Sequence, residues 1–448
     1  MTDSSLLIVN ARIVNEGRIT EGDLYIRAGR IEQIGFGLTG READRVIDAK
    51  GLHLLPGMID DQVHFREPGL THKADIATES AAAVAGGITS FMDMPNTVPN
   101  AVTRTALADK YLIAAGRSRA NYAFWFGGAN DNIEEIKALR PEAACGVKVF
   151  MGASTGNMLV DDPVTLERIF AESPLLIATH CEDSTIIRAN EERLRAQYGE
   201  DVPVSAHPEI RSEESCWRSS SLAVELARRH DARLHVLHLT TAREMAHFAT
   251  GPVTGKRITA EACVHHLVLD DTHYAELGNR IKCNPSIKTA ADRQALVRAL
   301  AEDRIDVIAT DHAPHTLREK EQSYLRAPAG LPLVQHALPL ALEHVHDGSF
   351  TLEHAVKKTS HAVADLFGIR DRGYLREGYW ADIVLVDLKT PNEVRGEDLL
   401  YKVAWSPFEG MRLRSTVQTT IVNGVVAWDA GGLTGEIPGR RVECNAAR

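Results

Sequence analysis

The sequence predicts an α/β fold: a (β/α)8 TIM-type barrel with a small β-sandwich domain built from both chain termini. Two observations support this prediction. The middle of the 448-residue chain alternates short apolar runs with helical patterns, whereas both ends carry strand-like runs. Buried parallel strands read as continuous apolar stretches, and eight of them close a barrel of this type. An open, doubly wound sheet is the alternative that the pattern leaves open.

The barrel strands are predicted at eight apolar runs in the middle of the chain. These runs are residues 58–63, 88–92, 122–126, 147–150, 175–178, 233–237, 258–262 and 307–309. The segment 183–215 after the fifth run lacks clear periodicity, so we interpret it as an insertion and expect a helix over 190–198 within it.

Both ends of the chain predict strands of the small β-domain. Strand-like runs cover 6–14 and 23–34 near the start, and 383–386 and 416–427 near the end. A helical pattern over 352–366 stops at Gly368, as helices commonly do. We therefore assign residues 1–55 and 369–448 to the β-domain and residues 56–368 to the barrel.

Composition and charge exclude several classes of protein. Hydrophobic residues make up 44% and charged residues 25%, as in soluble globular proteins, and the net charge of −11 comes without a basic stripe for nucleic acid. The chain lacks the pattern of a signal peptide and a run long enough for a membrane helix, so we expect a cytoplasmic protein. The six scattered cysteines, with no CxxC pair, indicate reduced thiols rather than a disulfide scaffold.

Metal-competent side chains follow the ends of five predicted strands. They are His64, Lys148, His180, His238 and Asp311. The carboxyl ends of barrel strands converge on one mouth, so these side chains are expected to meet there. Imidazole and carboxylate ligands suit zinc, which activates water when one coordination position stays open. Any one of these histidines alone is more often a hydrogen-bonded structural residue, but five such positions together favour a metal site.

Two further features supply what a hydrolysis needs besides a metal. Asp311 lies beside the predicted metal, where it can take a proton from attacking water and pass it to a leaving nitrogen. Arg66 and Asn96 follow the first two strands, and an arginine there can hold a substrate carboxylate through two hydrogen bonds. Taken alone, Arg66 is more often a rim residue in an ion pair.

Several motifs resemble those of the dihydroorotases. The first is Pro56-Gly57-Met58-Ile59-Asp60 followed by Val63-His64-Phe65-Arg66-Glu67-Pro68-Gly69. The others, in the same order, are Met94-Pro95-Asn96-Thr97, Gly146-Val147-Lys148-Val149-Phe150, Thr179-His180-Cys181-Glu182, His235-Val236-Leu237-His238, His265-His266, Lys282-Cys283-Asn284-Pro285 and Asp311-His312-Ala313-Pro314-His315. Residues 373–387 are similar to the segment that closes the small β-domain throughout the amidohydrolase superfamily. The resemblance therefore covers nearly the whole chain.

The resemblance implies a set of zinc ligands. Lys148 would be an N-carboxylated lysine that bridges two metals, because a carbamate is an anionic oxygen donor where an ammonium would be repelled. His64 and Asp311 would hold the first metal, and His180 and His238 the second. An inward-facing Lys148 with some other partner is the alternative. His235 lies three residues before His238, so on an extended strand the two would face opposite ways.

The resemblance also implies a substrate-binding set. Arg66, Asn96 and His315 would recognise the carboxylate of dihydroorotate, and Asn284 would contact its ring. Hydantoinase-like relatives lack the arginine, so Arg66 favours a small-molecule substrate with a carboxylate. Residues 315–333 are a candidate lid over the mouth.

One position departs from the family pattern. The first motif of the family usually reads His-x-His, whereas this chain has Gln62-Val63-His64. A neutral amide is a much weaker zinc donor than imidazole, so Gln62 is a doubtful ligand. We therefore expect one or two zinc ions per chain, with the first site weak, remodelled or empty.

The resemblance implies a dihydroorotase, which interconverts dihydroorotate and N-carbamoyl-aspartate in pyrimidine biosynthesis through a metal-activated hydroxide, with Asp311 as proton shuttle. Two alternatives stay open. A cyclic ureide hydrolase such as an allantoinase or a hydantoinase would differ in substrate, and a catalytically inactive scaffold subunit would follow from the change at Gln62. We expect a homodimer, the commonest state of soluble oligomers.

Overall fold

The computed structural model describes residues 4–152 and 158–445, and within them eight parallel strands form a barrel. In chain order they are β1 (Met58–Val63), β2 (Ile88–Asp93), β3 (Asn121–Phe124), β4 (Val147–Phe150), β5 (Ile177–His180), β6 (Leu234–Val236), β7 (Ile258–Cys263) and β8 (Val307–Ala309). The short strand Phe126–Gly127 follows β3 and pairs with β4. Nearly every residue of these strands is buried, which explains why apolar runs locate them.

The barrel closes between its first and last strands. Val63 at the end of β1 forms a parallel bridge with His312, just after β8. The His64 amide donates a hydrogen bond to the His312 carbonyl over 2.7 Å. The predicted barrel is therefore confirmed, and the open doubly wound sheet is excluded.

Helices pack around the barrel strands. The α-helices are Ile76–Ala85, Arg104–Ala114, Ile133–Lys137, Pro163–Glu172, Ser184–Tyr198, His207–Ile210, Glu213–Arg229, Val264–Val268, Tyr274–Leu277, Ala290–Ala301, Leu317–Lys320, Ala337–His346, Leu352–Val356 and Ala362–Phe367. The 3-10 turns are Leu38–Gly40, Val204–Ala206, Arg243–His247, Asp271–His273, Gly278–Ile281, Val334–His336 and Gly396–Asp398. Long helices begin at polar caps: the side chains of Asp75, Ser212 and Thr289 each accept a backbone amide of the first turn.

Two predicted helices differ in detail from the observed ones. The helix expected over 190–198 runs over Ser184–Tyr198, because the Asp183 side chain caps its first turn. The pattern over 352–366 forms two short α-helices joined by the π-helical turn Lys357–His361. Its end is as predicted: Gly368 adopts a left-handed conformation, with φ of 56°.

A nine-stranded sheet within the described residues combines both ends of the chain. Its strands are Ser5–Asn15, Arg18–Arg27, Arg30–Gly35, Arg45–Asp48, His53–Pro56, Ile383–Asp387, Thr416–Val422, Val425–Asp429 and Gly432–Leu433. His53–Pro56 pairs antiparallel with Ile383–Asp387, so the two ends are joined through backbone hydrogen bonds. A separate two-stranded sheet pairs Asn392–Glu393 with Arg412–Leu413. The prediction that both termini share one β-structure is confirmed.

The strand-like run predicted over 416–427 forms two strands of the nine-stranded sheet, Thr416–Val422 and Val425–Asp429. The segment is a hairpin, and its turn residues Asn423 and Gly424 have φ of 52° and 76°. Asn-Gly is a strong signal for such a turn, because both positions need positive φ. A β-carbon on Gly424 would lie 2.6 Å from the Gly29 α-carbon, so the position also needs glycine for space.

The lower end of the barrel is filled by apolar side chains. Ile59, Met92 and Val307 belong to one buried cluster with the helix Ala362–Phe367. The Phe367 ring packs edge-on against Trp125, with centroids 5.5 Å apart. All six cysteines are buried and free. Among the described residues, no helix is both long and apolar enough to cross a membrane.

Candidate active site

The ten side chains that the sequence nominates line one cavity, with a volume of about 350 Å³. They are Gln62, His64, Arg66, Asn96, Lys148, His180, His238, Asn284, Asp311 and His315. The remaining lining residues are Phe150, Arg211, Ala313, Pro328, Ala329 and Gly330. Residues far apart in sequence meet here because the carboxyl ends of the barrel strands converge.

Three of these residues turn the chain at strand ends with left-handed backbone. The φ angles are 66° at Arg66, 38° at His238 and 48° at Asp311. Such conformations cost about 1 kcal/mol or more outside glycine, and they persist only where surrounding contacts hold them. At His238 one such contact is a hydrogen bond from its amide to Glu261 Oε1, 3.0 Å long. The turns occur at positions that line the cavity.

The first half of the site, the His180–His238 side, contains two buried imidazoles that face each other. His180 Nδ1 lies 3.0 Å from His238 Nε2. Burial lowers the pKa of both rings, so both are neutral near pH 7. Glu182 Oε2 accepts a hydrogen bond from His180 Nε2 over 2.8 Å, and Arg211 pairs with the same oxygen. This hydrogen bond leaves the lone pair of His180 on Nδ1, toward His238.

The residues on the His180–His238 side fit a divalent cation. His238 Nδ1 is buried without a hydrogen-bond partner among the described residues. A proton on that nitrogen leaves a second lone pair, on Nε2, directed at His180. Two neutral imidazole nitrogens at this spacing are a typical pair of zinc ligands. Lys148 is buried and lines the same cavity, which places a third donor at the site.

In the second half of the site, the His64–Asp311 side, the neutral amide side chains of Gln62 and Asn96 contact Asp311 and His64. His64 Nε2 lies 3.0 Å from Asp311 Oδ1, and His64 Nδ1 lies 2.7 Å from Asn96 Oδ1. The Gln62 amide nitrogen donates to Asp311 Oδ1 over 3.3 Å. Burial raises the pKa of Asp311, but the hydrogen bond and charge of His64 outweigh it, so the net pKa is lowered. Asp311 is therefore a carboxylate that can accept a proton.

Arg66 lines one end of the cavity. Its side chain is buried, Nε donates to the Pro314 carbonyl over 3.1 Å, and Nη2 lies 3.1 Å from His315 Nε2. Lys73 Nζ lies 2.9 Å from the other His315 nitrogen. Burial lowers the pKa of Arg66 to about 10, so the guanidinium keeps its charge. The contacts of Arg66 do not fit the interpretation of an ion-paired rim residue.

Comparison with known proteins places this site in a family. Residues 53–427 match the sequence profile of the Amidohydrolase family. The chain belongs to the amidohydrolase family. It is accordingly a hydrolase, and the matched region spans the barrel, the strand His53–Pro56 before it and most of the β-structure after it.

Curated relatives match this amidohydrolase over almost its whole length. A dihydroorotase of Halobacterium salinarum is 33% identical over 438 residues, which cover 97% of this chain and 99% of that protein. A dihydroorotase of Methanosarcina acetivorans is 33% identical over 445 residues, covering 97% and 94%. An allantoinase of Bacillus velezensis is 30% identical over 435 residues, covering 95% and 94%.

Solved structures share the whole architecture. The L-hydantoinase (dihydropyrimidinase) from Arthrobacter aurescens superposes with a TM-score of 0.92 at 27% identity, covering 98% of this chain and 99% of that one. The dihydropyrimidinase from Brevibacillus agri gives a TM-score of 0.90 at 25% identity, covering 99% of each chain. The predicted fold class, a barrel with a β-sandwich domain, is confirmed.

Beneath the mouth of this amidohydrolase, three buried ionisable side chains meet inside the barrel. His235 Nε2 lies 3.3 Å from Asp61 Oδ2 and 3.4 Å from Glu261 Oε2. Asp61 is on β1 and His235 is on β6, and these strands are not neighbours, so the side chains meet across the interior. Burial and the Asp61 charge raise the pKa of Glu261. Burial lowers the pKa of His235, but both carboxylates outweigh it and raise the pKa overall.

The alternating side-chain directions of an extended strand do not explain the positions of His235 and His238. Strand β6 ends at Val236, and the backbone turns at His238, where φ is 38°. His238 lines the cavity, whereas His235 lies in the barrel interior against the Phe367 ring. The turn, rather than the alternation of an extended strand, separates the two side chains.

Three residues that support the site were missed from the sequence. Glu182 holds His180, Glu261 holds His238, and Arg211 pairs with Glu182. A carboxylate two residues after a candidate ligand is a usable signal for Glu182. Arg211 comes from the insertion, which lacks periodicity, so no sequence pattern marked it.

Proposed function

We propose that the chain is a dihydroorotase, which hydrolyses dihydroorotate and closes N-carbamoyl-aspartate in the reverse direction, in pyrimidine biosynthesis. One observation carries the choice of substrate. Arg66 is buried at the mouth, and within residues 4–152 and 158–445 no carboxylate lies within ion-pair distance of it. A buried, unpaired guanidinium is costly, so a substrate carboxylate is the expected partner. The dihydroorotase relatives support this choice.

The relatives also support the reaction class. Dihydroorotases, an allantoinase and hydantoinases are similar to this chain over nearly its full length. All of these names denote hydrolases of cyclic amides. The chain is accordingly a cyclic amide hydrolase, and dihydroorotate is the proposed member of that substrate class.

We propose zinc as the metal, held by Lys148, His180 and His238. A zinc ion there supplies an activated water at neutral pH. Burial lowers the pKa of Lys148 to about 8, which makes its neutral amine accessible. The neutral amine can add to carbon dioxide, forming an N–C bond and releasing one proton. The resulting carbamate is the N-carboxylated form that the sequence resemblance implies.

Proton transfer is assigned to Asp311. Its carboxylate accepts a proton from the attacking water and passes it to the ring nitrogen as the amide bond breaks. His64 contacts the same carboxylate over 3.0 Å and keeps it ionised between turnovers. In the direction of ring closure, the proton moves the opposite way.

Substrate orientation is assigned to the remaining cavity residues. Arg66 binds the substrate carboxylate, with Asn96 and His315 on the same side of the cavity. Asn284 is proposed to contact the ring, since its Oδ1 is buried without a partner among the described residues. The Phe150 ring, with its centroid 4.5 Å from Lys148 Nζ, contributes an apolar surface to the cavity wall.

An allantoinase or hydantoinase activity is the second candidate, supported by the allantoinase relative and the hydantoinase structures. It differs from the first in the need for Arg66, because a neutral ureide has no carboxylate. An inactive scaffold is not supported, since the proposed metal and proton-transfer residues remain assembled in one cavity. A cytoplasmic location and a homodimer stay predictions from the sequence.

Purified, zinc-loaded protein assayed on dihydroorotate, allantoin and hydantoin tests the proposal. We expect turnover of dihydroorotate, and we expect Arg66→Met to raise its KM by about a hundredfold, the effect of losing a charged hydrogen-bonded pair. Arg370→Met, at an exposed ion pair, is the matched control and should leave KM unchanged. Wild-type turnover of allantoin or hydantoin without dihydroorotate would refute the proposal.

A further inference from the structure

Gln62 bridges two groups of opposite hydrogen-bonding character. Its amide nitrogen lies 3.3 Å from Asp311 Oδ1, and its amide oxygen lies 3.9 Å from Cys263 Sγ. All three side chains are buried. Gln62 therefore has a partner at each end of its amide group, and neither partner belongs to the His180–His238 side.

The chemistry of these partners fixes the orientation of the amide. The Asp311 carboxylate has only acceptor atoms, so the group facing it must be the amide N–H. This orientation directs the amide oxygen at the Cys263 thiol, which can donate to it as it can to Glu261 Oε1, 3.8 Å away. The reverse orientation would place two oxygens against each other at Asp311. The atom of Gln62 directed at the cavity side is thus the nitrogen, whose lone pair is delocalised and does not bind metals.

A count of donors separates the two halves of the cavity. The His180–His238 side offers two imidazoles that face each other, and Lys148 lines the same cavity. The His64–Asp311 side offers one imidazole and one carboxylate, which already contact each other over 3.0 Å. A Lys148 carbamate would complete the three protein ligands of a catalytic zinc site with His180 and His238. On the other side it would join His64 and Asp311, but both ring nitrogens of His64 already contact side-chain oxygens, Asp311 Oδ1 and Asn96 Oδ1, so a second ion would be held weakly.

We infer that Gln62 is a positioning residue for Asp311 rather than a metal ligand, and that each chain holds one metal ion, on the His180–His238 side. The inference rests on the proposed function for the presence of a metal. Gln62 and His64 both contact Oδ1 of Asp311, which leaves Oδ2 as the oxygen that exchanges the proton. The amide thus orients the proton carrier without competing for the metal.

The decisive measurement is the zinc content of the full-length wild-type protein, by elemental analysis and by an anomalous map at the zinc edge. We expect about one zinc per chain, beside His180 and His238, with no zinc bonded to Gln62. Two firmly bound ions, no ion, or a zinc bonded to the Gln62 oxygen would each overturn the inference. This measurement needs no substrate, so it is independent of whether dihydroorotate is turned over.

Two variants of Gln62 distinguish a role in positioning Asp311 from a role as a metal ligand. Gln62→Met keeps the side-chain length without a donor, and we expect unchanged zinc content and KM with kcat reduced about tenfold. Gln62→His adds an imidazole, and we expect a second zinc ion to bind. Gln418→Met, on the nine-stranded sheet, is the matched control and should change neither zinc content nor kcat. Loss of zinc from Gln62→Met with zinc retained in Gln418→Met would overturn the assignment.

Discussion

The two halves of the cavity are built from different kinds of support. On the His180–His238 side, each histidine is held by a buried glutamate: Glu182 accepts from the His180 ring, and Glu261 accepts from the His238 amide. On the His64–Asp311 side, the supporting groups are the neutral amides of Gln62 and Asn96. Metal ligands need a fixed tautomer and direction, whereas a proton carrier must be able to change its charge.

The charges of the supporting groups are consistent with this division of roles. Arg211 pairs with Glu182, and His235 lies between Asp61 and Glu261, so each glutamate has a cationic partner. Breaking a buried pair of this kind costs several kcal/mol, because the remaining charge is left uncompensated. The His180–His238 side is therefore supported by ionisable groups, whereas the His64–Asp311 side is supported by the neutral amides of Gln62 and Asn96.

The largest effect is expected for a variant on the His64–Asp311 side, to which we assign proton transfer. Asp311→Asn removes the proton acceptor, and we expect kcat to fall about a thousandfold. Zinc content should stay at the wild-type value, because we infer that the metal binds on the His180–His238 side. Asp429→Asn, at an exposed ion pair of the nine-stranded sheet, serves as the control. If Asp311→Asn lost its zinc, the two halves would have to be treated as one metal centre.

A smaller effect tests the glutamate that holds His180. Glu182→Gln removes the negative charge that orients the ring and pairs with Arg211, and we expect zinc affinity to fall about thirtyfold, as for other groups that orient metal ligands. Competition with a chelator measures the affinity. Glu191→Gln, on the exposed face of the helix Ser184–Tyr198, is the matched control. Equal zinc affinity of the two variants would contradict the comparison.

The smallest effect tests the glutamate that holds the His238 backbone. Glu261→Ala removes the acceptor for the His238 amide, and we expect zinc affinity to fall about tenfold. Glu261→Gln keeps a carbonyl oxygen for that amide and should restore most of the affinity. Chelator competition on both variants, with the free energy of unfolding measured in parallel, distinguishes positioning from general destabilisation. An Ala variant that is less stable but binds zinc normally would limit Glu261 to a structural role.

Much of the fold could be predicted because its elements are encoded locally. The eight barrel strands are short apolar runs, and the candidate residues stand directly after them, so the convergence of the strands predicts the cavity. The hairpin turn also has a local signal, the pair Asn423-Gly424, although this pair lies inside the apolar run 416–427.

The rest depends on contacts that no local pattern records. Arg211 reaches the cavity from an insertion without periodicity, and Glu261 faces inward from a strand whose neighbours are apolar. The orientation of the Gln62 amide depends on its contacts with Cys263 and Asp311, which are distant in sequence. Motif order can nominate Gln62 as a doubtful ligand, but the direction of its amide follows only from the folded neighbours.

The contact between His64 and Asp311 depends on the closure of the barrel between β1 and β8. His64 and Asp311 flank the bridge of Val63 with His312, and the His64 amide is itself part of that closure. The two residues come together only when the ring of strands is complete. The contact of the proposed proton carrier with His64 therefore depends on barrel closure, whereas His180 and His238 follow the neighbouring strands β5 and β6.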